Sequence, residues 1–115
     1  MKIINIDAIN KRPMDMDGVK DVMVQKPVTS ADGSPNFAMR VFTIEKDGHT
    51  PYHNHDFEHI NYIIDGVGGI KKENGDIESL KKGSFVLVKP NEKHQYVNLG
   101  DEPFVMICAV PIEYE

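Results

Sequence analysis

The sequence predicts an all-β protein whose strands form a sandwich or a barrel, and two observations support this prediction. Short segments rich in β-branched and aromatic residues recur along the 115 residues, and helical periodicity is almost absent. Clusters of glycine, proline, asparagine and aspartate separate these segments at regular intervals, and such clusters form turns. The predicted strands span residues 19–25, 36–45, 59–65, 68–74, 75–80, 84–89, 94–100 and 103–110.

The turn residues predict where individual strands end. Residues 73–76, "ENGD", predict a hairpin with a type I′ turn, which needs positive φ angles at both of its central residues. The dipeptide Asp47-Gly48 predicts a break after the second strand. Near the N-terminus, residues 3–10 ("IINIDAIN") are compatible with an edge strand, and residues 11–18 ("KRPMDMDG") have the composition of a loop.

Length and composition predict a single globular domain over residues 1–115. The formal net charge of −5 argues against nucleic acid and anionic membrane surfaces as partners, because both require a basic patch. Cys108 is the only cysteine, so no internal disulfide can form, which fits a reducing compartment. There is no apolar run long enough for a membrane span, and the segment "MKIINIDAINKR" lacks the features of a signal peptide. A cytoplasmic location is therefore expected.

Three of the five histidines lie within residues 53–59, "HNHDFEH". Alternate residues of a strand share a face, so His53 and His55 point the same way, and His59 has the same parity after a bend. Two strands later, His94 can face them across the interior of a closed barrel. Converging imidazoles form a transition-metal site. The alternative is a surface cluster or an adventitious site, but burying this many polar rings without a metal or a full set of hydrogen bonds is costly.

At the histidines, the sequence resembles the cupin family. The first cupin motif is a glycine, about five residues, His-x-His, three or four residues, a glutamate, six residues and a glycine. Residues 48–66 read "GHTPYHNHDFEHINYIIDG", with one residue fewer after the first glycine and with His59 at the glutamate position. The neighbouring Glu58 has the opposite parity in a strand and is expected to point away.

The second cupin motif is a glycine, five residues, Pro-x-Gly, two residues, a histidine, three residues and an asparagine. Residues 83–98 read "GSFVLVKPNEKHQYVN", in which the first glycine, His94 and the final asparagine are in register. Lys89 and Asn91 replace the proline and the glycine of the family pattern. The resemblance implies a single jelly-roll β-barrel, also called a double-stranded β-helix, with the two motifs at its core.

The resemblance also implies a metal centre built from His53, His55, His59 and His94, like that of small single-domain cupins with four histidine ligands. Those proteins resemble manganese- or iron-dependent oxygenases, and a homodimer is the usual assembly of the family. One divalent transition metal per chain is therefore expected. Manganese and iron are favoured, and nickel, copper, cobalt and zinc are the other candidates.

Imidazole ligands are neutral, so four of them leave the full charge of a divalent ion in place. A carboxylate ligand would cancel one unit of that charge. On an octahedral ion the four imidazoles leave two positions open, enough for a substrate and dioxygen together. A tetrahedral zinc site would instead be closed. The sequence does not decide the coordination number.

Further residues are candidates for the pocket or for contacts to the ligands. Asn61 has the parity of His59 and Tyr96 that of His94, so each is either a pocket group or a hydrogen-bonded core residue. Met106 and Cys108 share one face of the last strand, where Cys108 is a core residue or a pocket thiol. Arg40 lies among apolar residues, where a charge is costly unless it is paired. It is either an anion-binding group for a carboxylate substrate or a residue of an ion pair or an interface.

Two side chains near the histidines have other expected roles. His49 precedes the His-x-His pair in a predicted turn and is expected at the rim rather than among the ligands. On the outer face of the strand that starts at His59, Ile60, Tyr62 and Ile64 form an apolar stripe that is compatible with a homodimer.

These features leave the activity open between three classes of protein. The first is a metal-dependent oxidoreductase, such as a dioxygenase, that acts on a small organic molecule. The second is a non-catalytic, metal-stabilised protein that binds a small molecule. The third is an isomerase or cyclase with the same fold, because one fold can host many chemistries.

Overall fold

The computed structural model describes residues 1–115 and shows nine β-strands in one curled sheet in which all neighbouring strands are antiparallel. The strands are β1 (Arg12–Pro13), β2 (Lys20–Val28), β3 (Phe37–His49), β4 (His59–Asp65), β5 (Val67–Lys72), β6 (Ile77–Lys81), β7 (Phe85–Val88), β8 (His94–Asn98) and β9 (Phe104–Pro111). Short 3-10 helices span Ile6–Ala8, Ser30–Asp32 and Ile112–Tyr114. The predicted all-β jelly-roll barrel is confirmed.

Strand β3 joins the two halves of the barrel. Residues 37–44 of β3 pair with β9, whereas its last residue, His49, pairs with Val97 of β8. One half contains β7, β4, β9, β3 and β2, and the other contains β6, β5 and β8. Strands β6 and β7 lie at the two ends of the sheet and do not pair. A cleft of about 400 Å³ lies between these two ends of the sheet, and six of its twelve lining residues are lysines or glutamates.

The core fills the space between the two halves. Along β9, alternate residues point inward, so Phe104, Met106, Cys108 and Val110 are buried. The ring of Phe104 packs directly on Gly68 of β5, where a Cβ atom would lie only 2.4 Å from a ring carbon. A side chain at that position would therefore displace the largest fully buried side chain of the core.

The predicted break at Asp47-Gly48 is wrong, because β3 continues through it to His49. Asp47 has a φ angle of 65°, and a register shift in β2 opposite it forms an irregularity between Lys20 and Val22. A Cβ atom on Gly48 would lie 2.7 Å from the carbonyl oxygen of Lys20. The dipeptide thus bends the strand as a bulge does, without ending it.

The hairpin between β5 and β6 forms as expected, but its predicted turn type is wrong. The amide of Gly75 donates to the carbonyl oxygen of Lys72, so Glu73 and Asn74 are the central residues of the turn. Gly75 has a φ angle of +89°, whereas Asn74 does not have a positive φ angle. The chain therefore forms a turn followed by a left-handed glycine, which is the three-residue alternative to a type I′ hairpin.

The N-terminal segment also differs from the prediction. Residues 3–10 do not form an edge strand, because the side chain of Asn5 accepts a hydrogen bond from the amide of Asp7 (2.9 Å) and begins the 3-10 helix Ile6–Ala8. Within the predicted loop, Arg12 and Pro13 pair with β2. None of the helices is long and apolar enough to cross a membrane.

The outer face of β4 and β7 carries an apolar stripe. Ile60 pairs with Leu87 and Tyr62 pairs with Phe85, and the aromatic rings of the second pair are 4.5 Å apart. Ile60, Leu87 and Phe85 are exposed in the single chain. Association of two copies through this stripe stays a prediction.

Candidate metal centre

The fold brings four histidines from two strands and one loop to the same end of the barrel. His59 is the first residue of β4, and His94 is the first residue of β8. His53 and His55 lie in the loop between β3 and β4. The backbones of His53 and His94 exchange two hydrogen bonds, of 3.1 and 2.9 Å, which attach the loop to β8.

The four imidazole rings form one compact cluster. Five of the ring pairs have centroids between 5.0 and 5.3 Å apart. Ring nitrogens of His53, His55 and His94 lie within 4.8 Å of one another, and Nε2 of His59 lies 3.2 Å from Nε2 of His94. His59 and His94 are 6% and 4% exposed, so the cluster is open to solvent mainly on the side of the loop.

Hydrogen bonds to the Nδ1 atoms fix the tautomers of three rings. Nδ1 of His55 donates to the carbonyl oxygen of Phe57 (2.7 Å), and Nδ1 of His94 donates to that of Glu92 (2.8 Å). Nδ1 of His59 donates to Oδ1 of Asn61 (2.7 Å). A carbonyl oxygen can only accept, so each Nδ1 atom carries the proton and each Nε2 atom presents a lone pair.

This donor set fits a transition metal. Nε2 of His59 and Nε2 of His94 are both acceptors, so their separation of 3.2 Å is unfavourable unless a cation lies between them. Two imidazole nitrogens bound to one ion at about 2.0–2.1 Å lie roughly 3 Å apart when they occupy adjacent positions. Outward hydrogen bonds from Nδ1 atoms are also the usual arrangement around a histidine-bound metal.

Burial favours the neutral form of His53, His59 and His94, and histidine binds a metal in its neutral form. Desolvation lowers the pKa of His53 and that of His94, and the neighbouring histidines contribute to both changes. Desolvation also lowers the pKa of His59 to about 3, although its hydrogen bond with Asn61 acts in the opposite direction. At neutral pH the side chains of His53, His59 and His94 are therefore neutral.

Asn61 connects His59 to the core. Its Oδ1 atom accepts hydrogen bonds from His59 and from the hydroxyl of Tyr96 (2.8 Å), while its Nδ2 atom donates to the sulfur of Met106 (3.3 Å). All of its polar atoms are thus engaged although the residue is only 1% exposed. Asn61 holds the ring of His59 in one orientation, and Tyr96 and Met106 hold Asn61.

Replacing Asn61 by leucine is expected to lower the affinity for a divalent transition metal about 10–100-fold, as losing such a supporting group does elsewhere. The reason is that His59 loses the acceptor for its Nδ1 proton. Competition with a metal-binding dye measures the affinity. Tyr96→Phe is the matched control, because it leaves Oδ1 of Asn61 free to hold His59 and is expected to have a smaller effect. Equal affinities of Asn61→Leu and the unchanged protein would contradict this role.

A cavity of about 270 Å³ lies beside the cluster. Arg40, Cys108, Asn61 and Tyr96 line it, whereas Met106 lies behind Asn61. Seven further residues of its wall were not expected from the sequence: Met14, Met16, Phe42, Thr50, Pro51, Phe57 and Tyr114. Phe57 stacks between His55 and Tyr114, with 4.0 Å between ring centroids on each side. Most of the wall is therefore apolar or aromatic.

Three nearby side chains stay outside the cluster. Glu58 is exposed, as its parity predicts. His49 is half-buried, and its Nδ1 atom contacts the carbonyl oxygen of Thr50 (3.2 Å). Asn98 shares the parity of Tyr96, but it does not line the cavity, because its amide donates to the carbonyl oxygens of Ile44 and Glu102 at the far end of β8.

Two enzymes with different activities have sequences that are similar to this chain. The chain is 34% identical over 93 residues to a glucose-6-phosphate isomerase of Thermococcus onnurineus, covering 71% of this chain and 49% of that protein. It is 29% identical over 62 residues to gentisate 1,2 dioxygenase 1 of Aquipseudomonas alcaligenes, covering 54% of this chain and 18% of that protein. The chain thus spans about half the length of the first relative and less than a fifth of the second.

Solved structures share the whole fold. The polyketide cyclase RemF of Streptomyces resistomycificus has a TM-score of 0.93 at 23% identity, with 97% of this chain and 80% of that chain covered. A predicted oxalate decarboxylase of Thermotoga maritima has a TM-score of 0.84 at 19% identity, with 96% and 98% covered. At these identities the likeness shows the fold alone. The cupin domain family itself matches residues 40–110, which include all four clustered histidines, and the chain therefore belongs to this family.

Proposed function

We propose that the chain binds one divalent transition metal through His53, His55, His59 and His94 and acts as an oxidoreductase of the dioxygenase type on a small organic molecule. The observation that carries the proposal is the convergence of imidazole lone pairs beside a cavity. Manganese and iron are the favoured metals, because both combine redox chemistry with histidine coordination. The dioxygenase relative supports this class of reaction.

The residues of the chain have defined tasks in such a centre. When bound, the metal supplies a Lewis acid and, with manganese or iron, a redox centre. No carboxylate belongs to the cluster, so the ligands do not reduce the charge of the ion. Burial raises the pKa of Tyr96, and its phenol therefore stays protonated and keeps donating to Asn61. The apolar wall limits access of water to the reacting groups.

An isomerase or cyclase is the second candidate, favoured by the 34% identity to a glucose-6-phosphate isomerase. The same Lewis acid would polarise a carbonyl group of the substrate without any change of redox state. The two candidates differ in their need for oxygen, since only the oxidoreductase loses turnover under anaerobic conditions. A non-catalytic binding protein would retain a small molecule without turnover in either condition.

Elemental analysis of untagged protein, purified without added metal, tests the proposal. We expect about one manganese or iron ion per chain, in line with one cluster of four histidines. Stoichiometric zinc would argue for the isomerase or for a binding role, because zinc has no redox chemistry. Protein that neither contains a metal nor takes one up on titration would contradict the proposed centre.

A further inference from the structure

The cavity beside the histidines contains an arginine that forms no salt bridge. Arg40 lies on β3 opposite Cys108 of β9, and its half-buried side chain lines the cavity. Its Nη2 atom donates to the sulfur of Cys108 (3.2 Å), which is a weak acceptor. Its Nε atom is buried and has no hydrogen-bond partner. The guanidinium also lies 5.0 Å from the ring centroid of Phe42.

No acidic side chain balances this charge. The three salt bridges of the chain all use lysines: Lys2–Asp32, Lys46–Asp101 and Lys72–Glu78. None of the residues that line the cavity is an aspartate or a glutamate. Even a half-buried charge costs free energy when no opposite charge faces it, and a divalent ion at the histidines would add two positive charges to the same cavity. The cavity therefore lacks negative charge, and its ligand has to supply it.

The rest of the cavity favours an apolar body. Phe57 and Tyr114 present stacked rings, and Met14 and Met16 add flexible thioether side chains that adapt to the shape of a ligand. The volume of about 270 Å³ suits a small molecule rather than a chain. A cationic group and a soft apolar wall thus lie on the same small cavity.

We propose that the cavity takes a small organic carboxylate, whose charged group binds the guanidinium of Arg40 and whose apolar body packs against Phe57 and Tyr114. A guanidinium suits this task because its planar donors match the two oxygens of a carboxylate. The proposal rests on the proposed function for the position of the reacting centre and adds the class of substrate. The contribution of Arg40 to ligand binding does not require the metal.

Calorimetric titration with benzoate and with benzamide tests the assignment. The two probes have nearly the same shape, and only benzoate carries a charge. We expect benzoate to bind metal-free protein at least about tenfold more tightly than benzamide, and Arg40→Gln to remove about that factor. Arg12→Gln is the matched control, because Arg12 is the only other arginine and is exposed on β1. It is expected to leave the benzoate affinity unchanged.

Equal affinities for benzoate and benzamide, no binding of benzoate, or unchanged benzoate affinity in Arg40→Gln would each overturn the assignment. If Arg40→Gln fails to fold, Arg40→Lys replaces it, since lysine keeps the charge but loses the planar donors. Arg40→Lys is expected to weaken benzoate binding without abolishing the preference for benzoate over benzamide. Parallel titrations with manganese separate the two hypotheses. A chain that binds no metal but prefers benzoate through Arg40 contradicts the proposed function alone, whereas a chain that binds manganese without this preference contradicts only the carboxylate assignment.

Discussion

His94→Ala is expected to lower the affinity for a divalent transition metal by at least about 100-fold, because even groups outside the ligand set contribute 10–100-fold. His94 is the centre of the cluster: its ring lies within about 5 Å of the other three, and its backbone holds His53 in place. Removing its ring therefore deletes one ligand and loosens the packing of the others. Competition with a metal-binding dye, at a pH where the imidazoles are neutral, gives the affinity.

Two matched variants control for non-specific effects of the alanine substitution. Glu58→Ala removes the exposed carboxylate next to His59, and His49→Ala removes the histidine outside the cluster. Both are expected to retain the metal affinity of the unchanged protein. A loss in Glu58→Ala as large as that in His94→Ala would show that a carboxylate, and not a fourth histidine, completes the site.

Phe104→Ala is expected to lower the free energy of unfolding by about 3–5 kcal/mol, the usual range for a buried aromatic residue. Phe104 is 0% exposed, and its ring fills the space that Gly68 leaves open. Loss of the ring leaves a cavity between the two halves of the barrel that the rigid strands cannot close. Urea denaturation of metal-free protein measures the change without a contribution from metal binding.

Phe85→Ala provides the comparison for this prediction. Phe85 is 75% exposed on β7, so removal of its ring is expected to change the free energy of unfolding by less than about 1 kcal/mol. A loss for Phe104→Ala as small as that for Phe85→Ala would mean that β5 moves towards β9 and fills the cavity.

The barrel and the placement of His59 and His94 were predictable from the sequence, because both depend on local periodicity. Strand parity does not explain the placement of His53 and His55, because these two residues lie in the loop before β4 and not in a strand. Alternation along a strand puts His59, Asn61 and Ile63 on one face, and all three are buried at the positions that the parity of β4 requires. The same rule holds for His94 and Tyr96 in β8. Once two such strands face each other, their inward residues must meet.

The wall of the cavity was not predictable in this way. Phe57 follows a bend, Tyr114 lies in the last 3-10 helix, and Met14 lies in the segment before β2, so strand periodicity says nothing about where they point. Their positions follow from long-range contacts, such as the stacking of Phe57 on Tyr114 across more than fifty residues of sequence. The course of β3 through Asp47 was missed for a related reason, since a bulge and a turn use the same residue types.

The cavity thus has two parts of different origin, and they differ in how freely they can change. The clustered histidines His59 and His94 belong to strands whose positions are fixed by the core. Met16 and Tyr114 belong to exposed segments outside the barrel, where substitutions cost little stability. Substitutions in these segments can therefore change which small molecule the cavity accepts, while the four histidines stay in place. Such independence between scaffold and wall gives a physical reason why proteins of one family, built on the same barrel, catalyse unrelated reactions.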